Sequence, residues 1–269
     1  MIFPARRRPA PARRRKVPGR ARDVGRAALH AMGRAPTATR RWWAERDGVV
    51  LLTGLLIVVM LLGFLALADE VSEGETQQFD VAILEMLRRT DDPQVPIGPL
   101  WLVSAAQDVS ALGNRPLLIA TVLVVIGYLT LERMYGAMWL VVIAVSGGGF
   151  LNAVLKFLFA RERPDIVPHL VPVTSLSFPS GHSVLAAVMY LTLGALLARV
   201  AVHRRTRLYV LTVAMLATFL VGVSRVYLGV HYPTDVLAGW CVGLAWALLC
   251  WIVARSLQRR GAVEVGPRV

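Results

Sequence analysis

The sequence predicts an all-α protein built as an integral membrane bundle of six transmembrane helices. Hydrophobic residues make up 56% of the 269 residues, and the mean hydropathy is +0.57. Both values exceed those of soluble domains. Apolar segments recur along the chain at lengths near the roughly 20 residues that a helix needs to cross a bilayer. The charge is equally uneven, because almost all of the net +13 lies near the N-terminus.

The first 47 residues are predicted to form a disordered cytoplasmic tail. Residues 1–41 contain 13 Lys or Arg and one acidic residue, a net charge of +12. A block of like charge stays solvated. Ahead of a membrane span, its expected partner is the anionic lipid surface rather than nucleic acid. The basic stretch is too long for a secretory signal, so we expect the chain to retain it.

The membrane domain is predicted to extend over residues 48–256, followed by a cytoplasmic tail at 257–269. Val49–Ala68 is the first span, and residues 69–114 form an acidic extracytoplasmic loop with a short interfacial helix. Within this loop, Leu100–Leu112 is predicted either to re-enter the membrane or to form the outer end of the next helix. The remaining spans are Pro116–Leu131, Met138–Phe159, His182–Val202, Leu208–Val226 and Val236–Ala254.

The distribution of basic residues orients the bundle. Six spans place both termini on one side, together with the basic turn 203–207 and the basic segment 255–260. The acidic segment 69–92 then lies on the opposite side. Because basic residues accumulate in the cytoplasm, the pattern predicts cytoplasmic termini in the plasma membrane. A small-residue patch at 146–149 predicts a close helix–helix contact.

Three short polar stretches interrupt the apolar second half of the chain. They are Lys156–Pro164, Phe178–Ser183 and Ser224–Asp235. In the predicted topology all three lie on the outer face at the ends of helices. Lys and Arg side chains neutralise phosphate oxygens, and a helix start offers free N–H groups to an anion. The stretches therefore predict a site for phosphate chemistry on a membrane lipid.

The third stretch pairs a histidine with a carboxylate. His231 and Asp235 are four residues apart around the predicted start of the last span. At that spacing the carboxylate can accept a hydrogen bond from one imidazole nitrogen and leave the other free to attack. The pair predicts a nucleophile, and the competing interpretation is a capping Asp beside an ordinary loop histidine.

The other two stretches supply positive charge and hydrogen-bond donors. Ser180 is placed to cap the fourth span, Gly181 allows a close backbone approach, and His182 lies in the first turn. Lys156 is either a phosphate ligand or an anchor that reaches the lipid headgroups. Arg161 is interpreted as an anchor or a loop residue.

In order and spacing, these motifs resemble the type-2 phosphatidic acid phosphatase family of membrane enzymes. The resemblance covers roughly Pro116–Ala254. The motifs that carry it are Lys156 followed after six residues by Arg163-Pro164, then Pro179-Ser180-Gly181-His182, and then Ser224-Arg225 followed by His231 and Asp235.

The resemblance implies a metal-independent phosphatase on a six-helix bundle, with no cofactor. It implies that His231 is the nucleophile that forms a phosphohistidine, that Asp235 orients it, and that His182 protonates the leaving group. The residues implied to hold the phosphoryl oxygens are Lys156, Arg163, Ser180, Gly181 and Arg225.

The substrate and two rival functions stay open at this point. Compact bacterial members of the family suggest undecaprenyl pyrophosphate or phosphatidylglycerophosphate as the substrate. The outward-facing site favours undecaprenyl pyrophosphate, and phosphatidylglycerophosphate or phosphatidic acid is the alternative. Transfer of the phosphoryl group to a second lipid would make the protein a phosphotransferase. A lipid translocator or transporter is the rival of another class. It would carry its charges near the bilayer midplane on broken helices, whereas these motifs lie at helix ends.

Overall fold

The structure, a computed structural model, describes residues 48–259, and this part of the chain is helical almost throughout. Five of its helices are each long and apolar enough to cross a membrane, and α3 together with α4 forms a sixth candidate span. The predicted all-α membrane bundle is confirmed. The helices are α1 Gly48–Glu73, α2 Gln77–Met86, α3 Leu100–Ala111, α4 Arg115–Leu131, α5 Tyr135–Phe159, α6 Gly181–Val200, α7 Arg204–Tyr227 and α8 Pro233–Arg259.

Helices α3 and α4 account for the short apolar segment that the sequence left ambiguous. They are joined through Leu112–Asn114, and Pro116 lies at the start of α4, where a missing N–H costs nothing. The two axes bend by 46°. A bend of that size does not return the chain to the side from which it came. The bend therefore favours a single bent span over a re-entrant segment.

Helix α6 occupies the centre of the bundle and packs against α5, α7 and α8. Glycines allow close approaches between the helices of this bundle. A Cβ on Gly147 of α5 would lie 2.4 Å from the Trp246 ring of α8, and one on Gly243 of α8 would lie 2.6 Å from the Ala187 Cβ of α6. The predicted contact at the 146–149 patch is confirmed.

The loop between α5 and α6 is fixed across one end of the bundle. Ala160 ends α5 in the left-handed conformation at φ 45°, which turns the chain back over the helix ends. Phe178 in the same loop is fully buried, with its ring centroid 5.9 Å from that of Phe64 and 5.1 Å from that of Phe159. These contacts attach the loop to both α1 and α5.

Some boundaries differ from those expected. Helix α1 continues to Glu73 and α8 to Arg259, so both helices extend past the predicted spans, which end at Ala68 and Ala254. The predicted short helix in the acidic loop is α2, whose Asp80 and Leu84 are buried. The basic N-terminal tail and residues 260–269 lie outside the described residues.

Candidate active site

His231 lies in the turn between α7 and α8, beside a carboxylate on the first turn of α8. Its Nδ1 is 3.3 Å from Asp235 Oδ2, the i,i+4 contact that the sequence predicted. The same oxygen accepts hydrogen bonds from the Tyr232 N–H at 2.9 Å and from the Ser177 hydroxyl. The carboxylate therefore keeps the imidazole in one orientation.

The second nitrogen of the same ring faces a cation. Arg163 Nη1 lies 3.2 Å from His231 Nε2. Because a guanidinium only donates, Nε2 accepts, and Nδ1 carries the proton that Asp235 receives as a hydrogen bond. Burial lowers the pKa of His231 to about 3, although the hydrogen bond to Asp235 opposes the shift. The ring is therefore neutral near pH 7, and Nε2 carries no proton.

A cavity of about 400 Å³ opens in front of this nitrogen. Lys156, Arg163 and Arg225 all line it. Lys156 is only 8% exposed and donates to the carbonyls of Leu176 and Ser177, so it does not extend to the headgroups as an anchor would. The three cations come from the end of α5, the following loop and the end of α7.

Two buried donors at this site lack partners among residues 48–259. Arg225 binds Ser110 Oγ through Nη1 at 2.7 Å, but its Nε has no acceptor. The Ser180 hydroxyl is also buried and unpaired. Ser180 is the N-cap residue of α6, yet its side chain makes no capping hydrogen bond, so the expected side-chain cap is absent. Unpaired buried donors are costly unless an anion satisfies them.

The start of α6 brings the remaining predicted residues to the same cavity. Gly181 and His182 line it, and the first N–H groups of the helix point toward this end. A Cβ on Gly181 would lie 3.2 Å from Asn152 Nδ2, so the glycine permits close packing of α6 on α5. His182 Nε2 is 2.7 Å from Asn114 Oδ1. Because the amide oxygen only accepts, this nitrogen carries a proton.

Comparisons with known proteins agree with this arrangement. A family model described as the PAP2 superfamily matches residues 136–259. Phosphatidylglycerophosphatase B of Bacillus subtilis (strain 168) is 33% identical over 191 residues, which span 70% of this chain and 89% of that protein. This chain belongs to the PAP2 superfamily. The family is the type-2 phosphatidic acid phosphatases, so the expected resemblance is confirmed, and the protein is a hydrolase that acts on lipid phosphates.

A solved structure and a second relative extend the comparison. The crystal structure of a transmembrane PAP2-type phosphatidylglycerolphosphate phosphatase from Bacillus subtilis superimposes with a TM-score of 0.67 at 32% identity, over 76% of this chain and 98% of that one. The undecaprenyl-diphosphatase of Sulfolobus acidocaldarius is 35% identical over 113 residues, or 40% of this chain and 48% of the relative. The PAP2 fold therefore holds well beyond the motif region.

Three residues that the sequence did not assign also build this PAP2 site. Arg161, interpreted as an anchor or loop residue, instead donates to Asp235 Oδ1 at 2.8 Å and to Asp80 Oδ2 at 2.8 Å. Its guanidinium also lies 4.3 Å from the centroid of the Tyr232 ring. Ser177 donates to Asp235 and lies 3.3 Å from His231 Nδ1. The sequence therefore did not predict the residues that hold the Asp235 carboxylate.

Asp80 reaches the site from outside the motif region. It lies on α2 and is fully buried, and its oxygens accept from the Thr234 N–H at 3.1 Å and the Thr234 hydroxyl at 2.6 Å. Both donors belong to the first turn of α8, next to Asp235. Helix α2 is thus joined to the start of α8.

Proposed function

We propose that this PAP2 protein removes a phosphate group from a membrane lipid through a phosphohistidine intermediate on His231, without a metal ion. One observation carries the proposal: the proton-free Nε2 of His231 faces a cavity lined by Lys156, Arg163 and Arg225. Asp235 supports the opposite ring nitrogen. A neutral nucleophile in front of fixed positive charge is what phosphoryl transfer requires.

In the first step, His231 Nε2 attacks the phosphorus atom and the bond from phosphorus to the lipid oxygen breaks. The phosphorylated imidazole becomes cationic, and the Asp235 carboxylate 3.3 Å from Nδ1 stabilises it. His182, on the wall of the same cavity, acts in its doubly protonated, cationic form beside the bound phosphate and gives one proton to the departing lipid oxygen, which leaves the ring neutral. The dephosphorylated lipid then leaves.

In the second step, water replaces the lipid. His182, now neutral, takes a proton from the water, whose oxygen attacks the phosphorus atom. The phosphorus–nitrogen bond breaks, inorganic phosphate leaves, and both histidines return to their starting states. If a second lipid alcohol took the place of water, the same step would make the enzyme a phosphotransferase.

The phosphate oxygens are assigned to donors of this chain alone. Lys156, Arg163 and Arg225 offset the negative charge, and the Ser180 hydroxyl and the Gly181 N–H group add neutral donors. Two of these donors, the Ser180 hydroxyl and Arg225 Nε, are buried without a partner within residues 48–259. Their lack of a partner supports the assignment. Burial also lowers the pKa of Arg163, which reflects how far the site is withdrawn from water.

Three lipids are the candidate substrates. The more extensive match is to a phosphatidylglycerophosphatase, and it moves phosphatidylglycerophosphate to first place. Undecaprenyl pyrophosphate, expected first from the sequence, is supported by the Sulfolobus acidocaldarius relative and would suit the outer-face site proposed below. Phosphatidic acid is the third candidate.

We also propose an extracytoplasmic active site with both termini in the cytoplasm. The site lies where α6 and α8 begin and α5 and α7 end. The basic residues Arg204, Arg205 and Arg207 lie at the start of α7, the opposite end of that helix. Basic residues favour the cytoplasmic side, which supports this orientation. The basic tail would then rest against anionic lipids of the inner leaflet.

Phosphate release by the purified protein in detergent tests the proposal. Wild type and His231→Ala are compared on phosphatidylglycerophosphate, undecaprenyl pyrophosphate and phosphatidic acid. We expect release from at least one lipid by wild type and loss of about a thousandfold or more in the variant. A folded His231→Ala protein with near-normal turnover would refute the assigned nucleophile. Lipid products that carry the phosphate would indicate transfer instead of hydrolysis.

A further inference from the structure

Arg115 lies at the wall of the active-site cavity and has no role in the mechanism above. It is the first residue of α4, and it lines the cavity together with Lys156, Arg163 and Arg225. Its side chain is exposed, and within residues 48–259 the guanidinium has no hydrogen-bond or ion-pair partner. A free guanidinium that lines a phosphate-binding cavity is available to a ligand.

The position of Arg115 relates it to the leaving group. Asn114, the preceding residue, binds His182 Nε2 at 2.7 Å. In the proposed mechanism His182 protonates the oxygen that stays on the lipid. Arg115 therefore directly follows the residue that binds this proton donor, and Asn114, Arg115 and His182 all line the cavity.

A second cavity continues from this point along the outside of the bundle. It is a groove of about 340 Å³ between α4 and α5 that shares Arg115 and Leu185 with the active-site cavity. Apart from Ser146, its other walls are apolar, including Leu118, Val122 and Val145. Because Arg115 and Leu185 line both cavities, they lie where the phosphate-binding cavity meets the apolar groove. A lipid whose chain lies in this groove would place its linking group at Arg115.

We propose that Arg115 binds a second phosphate group of the substrate, the one that stays on the lipid after hydrolysis. The inference rests on the proposed function and deepens it by naming the substrate class as lipids that carry an inner phosphate between the scissile phosphate and the chain. That inner group is the first phosphate of a prenyl diphosphate or the diester phosphate of phosphatidylglycerophosphate. An arginine suits either one, because its planar fork binds two phosphate oxygens at once.

The test compares lipids that have an inner phosphate with related lipids that lack one. Purified full-length wild type and Arg115→Gln are assayed in detergent on undecaprenyl pyrophosphate against undecaprenyl phosphate, and on phosphatidylglycerophosphate against phosphatidic acid. Arg205→Gln, the same change at an exposed position at the start of α7, is the matched control. The lipid pair on which Arg115→Gln loses more activity with the two-phosphate member identifies the source of the inner phosphate.

We expect Arg115→Gln to lower kcat/KM by about tenfold on a two-phosphate lipid and by less than about twofold on its one-phosphate partner. Most of the loss should fall on KM, since the inner phosphate is bound before and during the reaction. Equal losses on both members of each pair would overturn the inference, as would no loss, or wild-type turnover of one-phosphate lipids only. If wild type hydrolyses none of the four lipids, the proposed function itself fails.

Discussion

Asp80 and Arg161 form a 2.8 Å ion pair that ties helix α2 to the active site. The Asp80 side chain is fully buried and the Arg161 side chain is 13% exposed. The other amino group of Arg161 binds Asp235 Oδ1, and Asp235 in turn holds His231. A helix outside the candidate membrane spans therefore fixes the carboxylate that orients the nucleophile.

Asp80→Asn should lower kcat by about tenfold or more while KM stays within about twofold. The amide cannot balance the charge of Arg161, and its NH₂ group would face the donors of Arg161 or Thr234. Arg161 would then lose one fixed partner, and Asp235 would lose its orientation with it. Phosphate release kinetics and size-exclusion chromatography of the variant check the expectation.

Asp91→Asn is the matched control for this variant. It removes the same charge and breaks an ion pair of 2.6 Å with Arg89, but both side chains are more than half exposed. Exposed pairs contribute little to stability, so kcat and folding should match wild type. Wild-type kcat in Asp80→Asn would show that the network on α2 does not position Asp235.

The buried imidazole of His231 should make the protein less stable in acid. Its pKa is lowered to about 3 in the folded state, whereas an unfolded histidine titrates near 6.5. Between those values the unfolded chain binds the additional proton. The contribution of this group to the free energy of unfolding is therefore at its full value above pH about 6.5, and it decreases as the pH falls toward 3.

His231→Gln should remove part of this acid sensitivity. Thermal unfolding in detergent, measured at pH 7.5 and pH 4.5, gives the loss of Tm for wild type and variant, and we expect the smaller loss in the variant. His203→Gln, in the exposed turn before α7, serves as the control. An unchanged pH dependence in His231→Gln would mean that the imidazole is not held neutral by burial.

Turnover should persist when divalent metals are removed. Phosphate charge at the cavity is offset by Lys156, Arg163 and Arg225, which line its wall. Cationic side chains can perform the charge neutralisation for which other phosphatases use a metal. Phosphate release in EDTA, with and without added Mg²⁺, is the measurement. Activity that EDTA abolishes and Mg²⁺ restores would contradict the proposed mechanism.

Local patterns were enough to predict most of the fold and much of the site. The length of each apolar segment predicted the spans, and the four-residue spacing of His231 and Asp235 predicted their contact. Whether Lys156 was a phosphate ligand or an anchor could not be decided from its position near a helix end. That choice depends on the chain that folds over it, since the carbonyls of Leu176 and Ser177 are what hold its ammonium group.

The carboxylate network could not be predicted, because its members are far apart in the sequence. Asp80 lies in a segment rich in acidic residues, most of which are exposed. One indication was present: Asp80 shares a helix face with Ile83 and Leu84, three and four residues later. A charge on the apolar face of a short helix indicates a buried partner, although it does not identify Arg161 or Thr234 as that partner.

Gly243→Ala should destabilise the bundle, whereas Gly127→Ala should not. On α8, a Cβ at Gly243 would lie 2.6 Å from the Ala187 Cβ and 2.8 Å from the Val184 carbonyl oxygen, and a backbone atom of α6 cannot move aside cheaply. On α4, a Cβ at Gly127 meets no atom within 4 Å, and alanine is favoured over glycine in a helix by about 1 kcal/mol. Thermal unfolding of both variants in detergent should therefore give a lower Tm for Gly243→Ala and an equal or higher Tm for Gly127→Ala. A wild-type Tm in Gly243→Ala would show that α6 and α8 are not packed this closely.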